Sequence, residues 1–146
     1  MSRSLAGKRI VLVDDDVDVL HTLRRALEKC GASVVVATTT ETALRNIAMT
    51  KPSMVVTDIS MPDGSGYDLV KRLRSDKETA RTPVIALTAH TRAADIEAAA
   101  AAGFDAHVAK PTRALKLIRA IDETFARMFR DPMAALRAHT RIATYR

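Results

Sequence analysis

The sequence predicts an open α/β sheet of five parallel strands wrapped by helices on both faces, and three observations predict it. Short runs rich in Val, Ile, Leu and Ala recur at 9–13, 33–37, 55–57, 84–88 and 105–109. Each leads into a longer segment whose apolar residues fall at helical spacing. Gly or Pro punctuates most of the junctions. Strands alternating with helices form βαβ units, whose right-handed crossovers lay helices over both sides of the sheet, here in the doubly wound order 2-1-3-4-5.

Residues 9–13 begin at a basic edge, continue as an unbroken apolar run and stop at Asp14, Asp15 and Asp16, as a buried parallel strand ending in acid would. The next helix carries Leu20, Leu23, Leu27 and Cys30 on one face and Arg24, Arg25, Glu28 and Lys29 on the other, with Gly31 placed to end it. Asp16 and Asp18 suit its N-terminus, where a side-chain oxygen caps free N–H groups and negative charge meets the helix dipole. Residues 33–37 are the second strand. Thr40 and Glu41 open a helix that turns Ala43, Leu44, Ile47 and Ala48 inward, and Lys51 with Pro52 closes it.

The stretch 55–66, VVTDISMPDGSG, organises the rest. Val55, Val56 and Thr57 form a short strand that delivers Asp58 into a loop containing Pro62 and small turn-forming residues. Ligands of open α/β sheets bind at the carboxyl ends of the strands, which gives Asp58 a geometric claim to chemistry; a solvated acid capping the next helix is the competing reading. Residues 65–75 form that helix, with Leu69, Val70 and Leu73 buried and Ser65 and Gly66 serving its start.

Thr82 and Pro83 introduce the strand 84–88. Residues 92–102 are so rich in alanine that they favour helix but offer a shallow packing face, so this helix is expected to be the least firmly anchored. Gly103 ends it, and the strand 105–109 runs into Lys110 and Pro111. The last helix, 113–130, places Ile118, Ile121, Phe125 and Phe129 on one side. Residues 1–7 are then an N-terminal tail and 8–130 the domain, while Asp131 and Pro132 open a further short helix in the basic extension 131–146.

Composition narrows the function classes. The 146 residues are 47% hydrophobic and 27% charged, enough for one domain with a continuous core and too few for two. The core must be built without tryptophan. No run approaches the roughly 20 apolar residues of a membrane span, and the start lacks a signal-peptide pattern. The single Cys30, expected as a small buried residue, excludes an internal disulfide and fits a cytoplasmic protein. Of the net charge of +6, residues 1–112 carry +1 and residues 113–146 carry +5. Basicity so confined, with no recognisable reading helix, argues against direct DNA binding.

The carboxyl ends of the strands collect a chemistry. Asp14 and Asp15 follow the first, Asp58 the third, Thr88 and the small Ala89 the fourth, and Lys110 the fifth. Crowded carboxylates repel unless a cation neutralises them, and oxygen-only ligands favour a hard ion, Mg²⁺ before Ca²⁺. A metal, an ammonium and a hydroxyl around a carboxylate are the parts needed to bind and transfer a phosphoryl group.

The segments VLVDDD at 11–16, VVTDISMPDGSG at 55–66, IALTA at 85–89 and AKP at 109–111 together resemble the receiver domain of bacterial two-component response regulators, over about residues 8–130. Each segment alone is weak; four in order are specific. The resemblance implies a flavodoxin-like fold and a phosphorelay function, with Asp58 as phosphoacceptor taking its phosphoryl group from a histidine kinase or histidine phosphotransfer protein. It implies Mg²⁺, for which Mn or Ca could substitute, held by Asp14, Asp15, Asp58 and the backbone carbonyl of Ser60. Lys110 would pair with a phosphoryl oxygen, Thr88 would move to meet another, Ala89 would leave room, and Lys110–Pro111 would be cis. Such a domain catalyses only its own phosphorylation and dephosphorylation, and is a monomer or a phosphorylation-dependent dimer.

His107 departs from the family, which generally places Tyr or Phe there as a switch coupled to the threonine. Two readings stand: a switch with altered coupling, open to titration near neutrality, or a half-exposed strand histidine. Thr112 replaces an apolar residue frequent after the proline. DAHVAKP and LAGKRIVLVDDD also resemble receivers attached to hybrid histidine kinases, so a module detached from such a kinase is an alternative to a stand-alone receiver. Two remoter classes are an aspartate-nucleophile phosphohydrolase using Asp14 and Asp16, and a binder of nucleic acid or anionic surfaces using residues 131–146.

Overall fold

The computed structural model describes residues 3–61, 64–133 and 142–146. Among them run, in order, β1 (Arg9–Val13), α1 (Val17–Lys29), β2 (Ser33–Ala37), α2 (Thr40–Thr50), β3 (Met54–Asp58), the short strands β4 (Ser60–Met61) and β5 (Gly64–Ser65), α3 (Gly66–Ser75), β6 (Val84–Thr88), α4 (Ala93–Ala102), β7 (Ala106–Ala109), α5 (Ala114–Arg130) and β8 (Ala143–Tyr145). The main sheet has the order β2-β1-β3-β6-β7-β8 and is parallel throughout. Its first five strands stand in the expected doubly wound order.

Two apolar layers hold the sheet. Leu20, Leu23 and Leu27 of α1 and Leu117 and Ile121 of α5 meet Ile10, Leu12, Val56 and Ile85 on one face. Ala43 and Ile47 of α2, Leu69 and Leu73 of α3 and Ala99 of α4 meet Val11, Val13, Val55 and Val84 on the other. Alternate residues of one strand thus serve opposite layers, and the central strands β3 and β6 are buried at every position, which is why they read as continuous apolar runs.

Helix starts follow local chemistry. Asp16 Oδ1 accepts from the N–H groups of Asp18 (3.0 Å) and Val19 (3.2 Å), and Ser65 and Asp68 form a reciprocal capping box at α3. Cys30 is buried at the C-cap of α1, one position past the helix proper. Only Ala99 and Ala100 of α4 are buried, the shallow anchoring that its composition predicts.

Four expectations change. Ala48 of α2 is exposed rather than turned inward, and only Thr40, Ala43 and Ile47 of that helix are buried. Phe129 does not join the buried stripe of α5 and is 89% exposed. At 3.6 residues per turn it stands about 120° around the axis from Leu117, the stripe's centre, while Ile118 and Phe125 flank that stripe half-buried. His107 is not half-exposed: it is 2% exposed within β7. In the basic extension, Asp131 opens no helix before Met133, where the chain turns; residues 134–141, on which the rest of that expected helix falls, lie outside the described residues; and Ala143–Tyr145 form a strand beside β7. A three-residue strand is below the length at which sequence pattern distinguishes strand from loop.

Candidate functional site

Each polar side chain of the site stands at the carboxyl end of a main-sheet strand or in the loop just after it. Asp14, directly after β1, has its N–H on the Ala37 carbonyl (3.1 Å) and is fully buried. Its Oδ1 accepts from the Asp16 N–H (3.0 Å). Asp58 ends β3, 7% exposed, and its Oδ1 accepts from the Ser60 N–H (3.1 Å). The remaining oxygen of each faces the same ammonium: Lys110 Nζ lies 2.7 Å from Asp14 Oδ2 and 2.9 Å from Asp58 Oδ2. Asp15 is exposed, and a carboxylate oxygen from each of Asp14, Asp15 and Asp58 falls within 4.8 Å of the other two.

Burial pulls the Lys110 ammonium toward deprotonation, but hydrogen bonds and charge from Asp14 and Asp58 outweigh it, and the pKa rises above the ordinary lysine value. The lysine is therefore a fixed cation at neutral pH. Three carboxylates and one ammonium leave a formal charge of −2 on an oxygen-only donor set, which suits a hard divalent ion. Two ligands on one Mg²⁺ are at most about 4.2 Å apart, so small side-chain adjustments would bring these oxygens onto one ion. The residues present fit such an ion.

The surrounding loops are tied down. The Lys110 N–H donates to the Thr88 carbonyl (2.8 Å), joining the ends of β6 and β7, and the Lys110–Pro111 bond is cis. Lys116 of α5 reaches back with its ammonium to the Ala109 carbonyl (2.7 Å). The Thr88 side chain is buried, its Oγ1 accepting from the His90 N–H (2.9 Å), while Ala89 is exposed beside it. His107 Nε2 donates to the His90 carbonyl at 3.1 Å, so β7 holds the β6–α4 loop from beneath. An open cleft of about 730 Å³ borders the acids, with Asp15 and Ser60 at one side and His90, Arg92 and Asp95 at the other.

Gly66 sets the position of Asp58. A Cβ there would come within 2.6 Å of the Asp58 carbonyl oxygen and 2.9 Å of the Ile59 Cα, so only glycine lets α3 start this close to the strand end. The reading of Gly66 as helix punctuation found its place but not this contact. Asp16 does not join the cluster, since its carboxylate caps α1, which removes the Asp14 and Asp16 pairing that a phosphohydrolase would need.

A response regulator receiver domain model matches residues 10–122. The chain belongs to the response regulator receiver domain family. This receiver is 38% identical over 121 residues to an uncharacterized 14.6 kDa protein of Leptolyngbya boryana, covering 83% of this chain and 92% of that one. It is 32% identical over 125 residues to hybrid signal transduction histidine kinase D of Dictyostelium discoideum, covering 80% of this chain and 8% of that one. It spans about half the length of transcriptional regulatory relatives. A solved putative response regulator from Chloroflexus aurantiacus superimposes with a TM-score of 0.77 at 30% identity, covering 82% of this chain and 98% of that one. The receiver is thus a module of two-component signal transduction, a system in which receivers interact with histidine kinases or phosphotransfer proteins. No helix among the described residues is long and apolar enough to cross a membrane.

A second buried charge system lies at the opposite end of the sheet. Arg74 of α3 pairs with Asp105 (2.9 Å) and donates to the carbonyls of Gly103, Ala80 and Thr82, and Asp105 Oδ2 also accepts from the Val84 N–H (2.8 Å). It clamps α3 to the entries of β6 and β7. Sequence reasoning missed it because Arg74 and Asp105 are 31 positions apart and no spacing along the chain links one to the other.

Proposed function

We propose that Asp58 is the phosphoacceptor of this receiver, taking a phosphoryl group from a histidine kinase or histidine phosphotransfer protein in the cytoplasm. The observation that carries the reading is the shared ammonium: Lys110 bridges Asp14 and Asp58 while Asp15 completes a three-carboxylate cluster. An Asp58 oxygen attacks the phosphorus of a partner's phosphohistidine, the P–N bond breaks, and its electron pair returns to the imidazole. Asp14, Asp15, Asp58 and the Ser60 backbone carbonyl would hold Mg²⁺, which neutralises charge on the transferring oxygens; Mn or Ca could substitute.

Lys110 stays paired with Asp14 and turns its remaining N–H groups from the Asp58 carboxylate to a phosphoryl oxygen. Thr88 Oγ1, now an acceptor for the His90 N–H, turns to donate to a second phosphoryl oxygen, and Ala89 leaves space for the group. That turn frees the His90 N–H while His107 keeps hold of the His90 carbonyl, so the loop and β7 move as a unit and alter the surface around α4, β7 and α5. His107 is in this way a switch residue. The receiver catalyses its own phosphorylation and dephosphorylation and turns over no other substrate.

Intact-mass measurement after incubation with acetyl phosphate and Mg²⁺ tests the reading. One phosphoryl group on the native chain and none on Asp58→Asn is expected; equal labelling of both removes Asp58 from the role. A second reading, a module of a longer hybrid kinase, draws on the 32% identity to hybrid signal transduction histidine kinase D and keeps the same site chemistry.

A further inference from the structure

The strand β8 is joined to the sheet in an unusual way. α1 carries the chain from β1 to β2 over one face, and α2, α3 and α4 carry it over the opposite face and in the opposite direction along the strand order. Reversing both face and direction preserves hand, so these four connections share one hand. α5 lies on the α1 face, yet β8 stands on the far side of β7, in the direction taken by the other helices. The β7–α5–β8 connection alone therefore has the opposite hand, and about 98% of parallel crossovers are right-handed.

What β8 contributes is nonetheless specific. It pairs in register with β7, Ala106 to Ala143 and Val108 to Tyr145. Tyr145 is 8% exposed in the layer beneath α5, its hydroxyl donates to Glu123 Oε1 at 2.6 Å, and the Arg119 guanidinium lies 5.9 Å from its ring. Ile142 packs against the other layer, so the segment grips both faces of the sheet edge. The contacts suit a strand in this position while the connection to it does not.

We propose that the β7 edge, flanked by α4 and α5, is a strand-accepting surface whose partner is the 142–146 segment of a second copy of this chain. Supplied by another molecule, the strand makes the same ladder and the same Tyr145–Glu123 bond without the reversed crossover. Fully extended, residues 131–142 span roughly 40 Å, enough to reach across a two-fold pair. The exchange is reciprocal and independent of phosphorylation. It closes an edge that would otherwise present unpaired backbone groups.

Arg119 and Arg146 line the same groove between α5 and β8. The test uses the full chain carrying Cys30→Ser, Arg119→Cys and Arg146→Cys, bridged by a short bismaleimide at a series of protein concentrations. The expected product has twice the 15.9 kDa chain mass, grows with concentration, and includes mixed dimers when tagged and untagged chains are combined. Light scattering of the uncross-linked native chain is expected to show the same concentration-dependent dimer. Tyr145→Glu, which sets a carboxylate against Glu123, is expected to leave a folded monomer, checked by circular dichroism and acetyl phosphate labelling. Cross-linking that stays at single-chain mass at every concentration overturns the proposal, and so does a dimer that survives Tyr145→Glu.

Discussion

Lys110 Nζ stands 2.9 Å from Asp58 Oδ2 although 52 positions separate the two residues, and the same nitrogen reaches Asp14, 96 positions away. One ammonium therefore holds together two buried carboxylates that would otherwise repel. Lys110→Met leaves them facing each other without a cation. Since Lys110 is itself 24% exposed, the loss is expected at about 1–3 kcal/mol, below that of a fully buried pair. Urea denaturation at pH 7 measures it, and added Mg²⁺ is expected to restore more stability to this variant than to the native chain.

Gly66→Ala drives a methyl group against the Asp58 carbonyl, where a Cβ has 2.6 Å. Backbone is on both sides, so relief requires moving α3 or the end of β3. A loss of about 1–3 kcal/mol is expected, typical of overpacking, together with slower labelling by acetyl phosphate because Asp58 shifts from Lys110. Thermal unfolding and the labelling time course check the two effects separately.

Arg74→Ala removes a guanidinium that bonds Asp105 and three backbone carbonyls at the far end of the sheet. Asp105, 6% exposed at its side chain, is then left buried without that guanidinium. The expected cost is about 3–5 kcal/mol in denaturant unfolding. Labelling of the folded variant at Asp58 is expected to remain, because no atom of this cluster touches the acids.

Burial and the bond to Glu123 raise the Tyr145 phenol above its ordinary value of 10.0. A group whose folded pKa is raised contributes stability that is complete below its unfolded pKa and is lost as pH climbs through the folded value. Glu123 is shifted the opposite way, lowered chiefly by the Tyr145 hydroxyl, so its contribution holds above the ordinary carboxylate range and is lost as pH falls through its depressed value. The β8 contact is thus strongest between those limits. Tyr67→Phe leaves Tyr145 as the one tyrosine, and its phenolate absorbance is expected to appear above pH 10; Glu123→Gln is expected to move that titration downward.

The amino-acid order by itself determined the alternation of strand and helix, the five-strand parallel sheet and the chemistry assembled at its rim. Those features depend on local patterns, apolar runs stopped by Asp14, Asp58 and Lys110 and helices begun by Asp16 and Ser65, that need no partner to be read. Only the tertiary structure decided the rest: that His107 is buried under the His90 carbonyl, that Phe129 escapes the core, that Arg74 finds Asp105, and that residues 143–145 form a sixth strand. Each depends on which surface arrives opposite a residue. A side chain's partner across the fold is set by the packing of two layers on one sheet, and no period along the chain encodes it.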